Sequence, residues 1–111
     1  MFITGAFIIP HPPIILPEIG RGEEVKIQKT IDSCKEVANI LAAMKPDTIV
    51  LTSPHSIMYS DYFHISPGEA AKGNLSRFGA PDFSVSVEYD QEFAITLGEK
   101  YCFYCQRGLI S

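Results

Sequence analysis

Tryptophan is absent, and cysteine is scarce, with three residues in 111. So sparse and odd a cysteine set gives no disulfide framework of the kind that holds small secreted domains together. Basic residues are few and scattered: nine Lys and Arg stand against thirteen Asp and Glu, for a net charge of −4. That excludes the basic patch or stripe of a nucleic-acid surface. No run approaches the roughly 20 apolar residues of a membrane span. The apolar opening from Met1 to Leu16 has no basic start, and Pro10, His11, Pro12 and Pro13 interrupt it before any small-residue cleavage site. It reads as a buried strand, and a cytoplasmic protein with neither a nucleic-acid nor a membrane partner is expected. The glycines match neither a dinucleotide fingerprint nor a phosphate loop, and no G-x-S-x-G elbow occurs. What is present is ordinary for one small globular domain: 46% hydrophobic and 20% charged residues.

The apolar run Phe2 to Ile9 does not alternate cleanly, which suits a strand buried on both faces. Proline at 10, 12 and 13 removes ladder donors and ends it in an ordered turn. Residues 23–44 carry one apolar stripe, Ile27, Ile31, Cys34, Ala38 and Leu41, with spacings of three and four. Glu23 and Glu24 favour the helix start, and Lys45 and Pro46 end it. Thr48 to Thr52 is a second β-branched run. Strand, long helix and strand make a βαβ unit, with parallel strands and a right-handed crossover. Residues 59–81 read as a long loop. Phe83 to Tyr89 alternates as a half-exposed strand, and Asp90 is placed to cap a helix from Gln91 with Phe93 and Leu97 on its apolar face. From Lys100 onward the periodic pattern fails.

His11 and His55 each follow the C-terminal end of an expected strand, and prolines flank both. On neighbouring parallel strands the two imidazoles would share the sheet edge at which open α/β sheets bind ligands. Two such nitrogens held on rigid elements suit a divalent metal; either histidine alone is more often a solvated or hydrogen-bonded loop residue. His64 is a candidate acid/base group or substrate contact, or a loop histidine packed beside Phe63. A third ligand would be a carboxylate, with Glu18, Asp61 and Glu69 as candidates. Two histidines plus a carboxylate suit non-haem iron, and three ligands plus water suit zinc. Cys102 and Cys105 form a lone C-x-x-C, too little for a structural zinc site.

The stretches GAFIIPHPPIILPEIGRGEE, KPDTIVLTSPHS and YSDYFHISPGEAAKGNLSRFGAP together resemble the LigB-type superfamily. Its members include the catalytic subunits of class III extradiol ring-cleavage dioxygenases. The nearest branch is the one associated with the AmmeMemoRadiSam system. The resemblance implies an α/β fold of three layers with a mainly parallel sheet. It also implies Fe(II) held by two histidines, matched by His11 and His55, and by a downstream glutamate. Zn(II) is the other candidate cofactor. The glutamate and a later catalytic histidine have no counterpart here, and family domains are longer. Residues 1–100 are therefore expected to be the N-terminal part of such a domain, and 101–111 an atypical tail left by truncation or a shifted reading frame. The implied activity is an oxidoreductase taking a small aromatic diol and O2. The alternatives are a metal-binding LigB-fold protein of the AmmeMemoRadiSam system without ring cleavage, and an inactive fragment or interaction module. Exposed strand edges in an incomplete sheet would favour a homo-oligomer.

Overall fold

The structure, a computed structural model, describes residues 2–55, 59–60, 63–66 and 68–101. Two compact units form, Met1–Ile49 with Asn74–Ser84, and Val50–Gly73 with Val85–Ser111.

In the first unit the proline-rich turn is built as its residues dictate. Pro12 is extended, at φ −66° and ψ 135°, and Pro13–Ile15 winds one 3-10 turn after it. The N–H groups of Ile15 and Leu16 donate to the carbonyls of Pro12 and Pro13, each at 3.1 Å. Pro17 then opens a short helix, α1 (Pro17–Gly20), at the position where a missing N–H does no harm. Arg21 ends α1 in the left-handed region, at φ 49°. Gly20 is buried because the chain closes tightly on it: an added Cβ would lie 2.9 Å from the Ile14 carbonyl oxygen.

The long helix begins later than its stripe predicts. Glu23–Ile27 is a 3-10 segment, and α2 runs Gln28–Met44. The Glu24 carboxylate turns back to accept the Gly22 N–H at 2.7 Å, and Ile27, at φ −118°, leaves helical geometry just before α2. Ile27, Thr30, Ile31, Cys34, Val37, Leu41 and Met44 form the half-buried face, so Val37 takes the place expected of Ala38. Lys45, at φ 47°, ends α2 in the left-handed region.

The βαβ unit is not formed. Residues 2–9 and 48–52 form no regular element and belong to no ladder among the described residues. Propensity alone does not make a strand; pairing and two covered faces do. Here Phe2, Ile3 and Ile8 are 93%, 91% and 103% exposed. The ladder that does form joins β1 (Ala70–Leu75) to β2 (Ala80–Glu88), an antiparallel hairpin. The helices and this two-stranded antiparallel sheet are compatible with the α/β class; a three-layer, mainly parallel sheet is not seen among the described residues. Strand β2 lies where alternation predicts it. Strand β1 falls inside the stretch expected to be loop, because AAKGNL carries no apolar alternation of its own and is recruited by its partner. Asn74 organises the hairpin turn, its side-chain oxygen accepting the Ser76 N–H at 3.1 Å and the Ser76 hydroxyl at 2.6 Å. Gly79 closes it at φ 82°.

In the second unit the Tyr89 N–H donates to the Glu69 carbonyl at 2.8 Å. Asp90 then caps α3 (Gln91–Tyr101), its carboxylate accepting the Phe93 N–H at 3.0 Å. Phe93, Ala94, Leu97 and Gly98 make the half-buried face. Among the described residues Ala80 is the one buried hydrophobic residue, and no helix is long and apolar enough to cross a membrane.

Candidate functional site

His11 lies in the first unit, exposed, between the extended run and the Pro13–Ile15 turn. Its backbone is fixed from both sides. The Pro10 carbonyl accepts a weak S–H donor from Cys34 of α2, at 3.9 Å, and the Pro12 carbonyl accepts the Ile15 N–H. Thus α2 and the 3-10 turn together set where the imidazole begins.

His55 lies in the second unit, also exposed. Its N–H donates to the Ser53 hydroxyl at 3.3 Å, so Ser53, Pro54 and His55 form a short side-chain-braced turn. His64 belongs to the same unit. Its ring centroid is 6.4 Å from that of Tyr59, with the planes tilted by 34°. Tyr59 and His64 thus place two aromatic rings near each other in this stretch.

The carboxylates expected as third ligands are scattered. Glu18 sits in the first turn of α1, and Glu69 in the bend before β1. Asp61, Cys102, Cys105 and the tail beyond Tyr101 lie outside the described residues. Among the described residues no group of three His, Cys, Asp or Glu side chains is arranged to hold a metal ion. In chemical kind, each exposed imidazole is a donor that a divalent metal accepts.

One feature of the first unit carried no signal in the sequence. Ile15, Leu16, Pro17, Val25, Ile31 and Ala38 line an apolar cleft of about 460 Å³, rimmed by Glu24, Gln28 and Lys35. Cys34 lines it as well, so one side chain reaches both the cleft and the turn that carries His11. Glu24 and Val25 of the 3-10 segment at 23–27 contribute to its lining, where periodicity would instead continue the helix.

Residues 5–106 match the family described as the catalytic LigB subunit of aromatic ring-opening dioxygenase. The chain belongs to this family. It is also 35% identical over 99 residues to Protein CA_C1420 of Clostridium acetobutylicum, an alignment covering 89% of this chain. The chain spans about a fifth, 21%, of that relative's length. No solved structure matches it. Dioxygenases of this family are generally metal-dependent.

Proposed function

We propose that this chain contributes the two-histidine part of the metal centre of an oxidoreductase that opens aromatic rings beside a diol. The match to the LigB family over residues 5–106 carries the reading. The placement of His11 and His55 on braced, exposed turns supports it. Their neutral imidazoles would hold Fe(II), with Zn(II) as the other candidate. When bound, Fe(II) supplies a Lewis-acidic centre that lowers the hydroxyl pKa of a catechol-type substrate and a redox partner for O2. His64, whose ring lies near that of Tyr59, would serve in proton transfer at a substrate hydroxyl. The remaining ligand would be a carboxylate outside the described residues. In the complete domain, residues 2–9 and 48–52 would become neighbouring parallel strands of a three-layer fold, with both histidines at one edge.

A second reading rests on the same family match, which fixes the family and not the reaction. On that reading it is a metal-binding LigB-fold protein of the AmmeMemoRadiSam system without ring cleavage, or an inactive interaction module.

An anaerobic titration with Fe(II) and with Zn(II), beside His11→Ala and His55→Ala, tests the shared site. Each substitution should weaken binding at least about tenfold, the lower end of what loss of even an outer partner of a ligand does. A folded chain that binds neither metal, or substitutions without effect, would sink the two-histidine centre. Ring opening of catechol by the Fe(II)-loaded chain separates the first reading from the second.

A further inference from the structure

Prolines at 10, 12 and 13 leave the chain around His11 short of backbone donors, so its carbonyls are the main points at which it can be tied down. On the C-terminal side of His11 the ties are local. The Ile15 N–H donates to the Pro12 carbonyl, and the Leu16 N–H to the Pro13 carbonyl. On the N-terminal side the tie comes from 24 residues away, where the Cys34 thiol of α2 faces the Pro10 carbonyl with its sulfur at 3.9 Å. Cys34 lies on the half-buried face of α2 and lines the apolar cleft together with Ile15 and Leu16. One helix therefore meets the chain on both sides of His11. The residue type suits the place. A thiol packs as a small hydrophobe and still offers a weak donor, whereas a hydroxyl in an apolar cleft carries a larger desolvation cost. A weak donor counts here because Pro10 and Pro12 have no N–H with which the turn could anchor itself.

We infer that Cys34 is a positioning residue for His11: its thiol holds the Pro10 carbonyl, and so fixes the peptide from which the His11 side chain departs. Cys34 acts through the backbone and touches neither metal nor substrate. Its effect on metal affinity rests on the reading of His11 as a ligand; its effect on the turn does not.

Two substitutions separate the bond from the packing. Cys34→Val keeps an apolar side chain in the cleft and has no donor; Cys34→Ala lacks the donor and also leaves space there. The first readout is the histidine-labelled, metal-free chain by NMR, with the His11 amide and ring signals assigned by their loss in His11→Ala. The second is the affinity for Fe(II) and Zn(II). Both substitutions should shift the His11 signals to a similar extent, leave those of His55 and His64 in place, and keep the helical circular dichroism. Each should weaken metal binding about tenfold, the lower end of what loss of a ligand's outer partner does. Packing alone would spare Cys34→Val and disturb only Cys34→Ala. Three outcomes overturn the inference: His11 signals unchanged in Cys34→Val, shifts confined to Cys34→Ala, or wild-type affinity of Cys34→Val for a metal whose binding His11→Ala weakens. A wild-type chain that binds neither metal sinks the metal centre instead, and the spectra of the metal-free chain still decide the role of Cys34.

Discussion

At the scale of single residues, the legible features are those whose side chain does local work. Asp90 reads as a cap in the sequence and caps α3, because a carboxylate two to three residues ahead of free N–H groups has one obvious use. Lys45 and Pro46 read as a helix end, and α2 ends at Met44 with Lys45 as its C-cap. Gly20 gave no signal, because its role comes from neighbours folding onto it. A Cβ there would meet the Glu24 carboxylate, and the Ile14 carbonyl at 2.9 Å. The carboxylate can swing away; the backbone carbonyl cannot do so without moving the 3-10 turn. Gly20→Ala should therefore destabilise the first unit by about 1–3 kcal/mol, as overpacking does. Urea unfolding followed by helical circular dichroism checks this, and an unchanged midpoint would show that the turn relaxes freely.

At the scale of elements, α2, β2 and α3 were readable from period and caps. The strands at 2–9 and 48–52 were readable as apolar β-branched runs, yet they form no ladder among the described residues. A helix satisfies its own backbone, whereas a strand needs a neighbour, so sequence period predicts the first more directly than the second. Strand β1 shows the converse: AAKGNL pairs because β2 is beside it, despite having no apolar pattern. The start of α2 differs for a local reason, since the Glu24 side chain engages the Gly22 N–H and the chain tightens to 3-10. Its end carries a cost that can be removed. Lys45 holds φ 47° and ψ 56°, a region that disfavours a residue with a Cβ by about 1–2 kcal/mol. Glycine is the usual occupant there. Lys45→Gly should stabilise α2 by about 1 kcal/mol after its greater unfolded-state freedom is allowed for. A melting temperature raised by about 4–8 °C would follow for a domain of this size; a lowered one would mean that the Lys45 side chain makes a contact worth more than the strain.

At the scale of the whole molecule, composition and burial disagree. Nearly half of the sequence is hydrophobic, yet Ala80 is the one buried hydrophobic residue among those described. Local helices, a hairpin and half-buried stripes are formed. A fully buried apolar core is not formed among the described residues, and such a core supplies most of the stability of a small domain. The candidate site follows the same pattern. Proline-flanked positions after apolar runs mark His11 and His55 as candidates in the sequence, and no carboxylate stands in an equivalent place. Heat capacity reads the missing core directly. Unfolding an ordinary domain of 111 residues raises the heat capacity by about 1.3–1.7 kcal/mol/K, chiefly from exposing buried apolar surface. The isolated chain should give less than about half of that by scanning calorimetry, with a broad transition. A full-sized heat-capacity change would mean that the chain already buries an ordinary core.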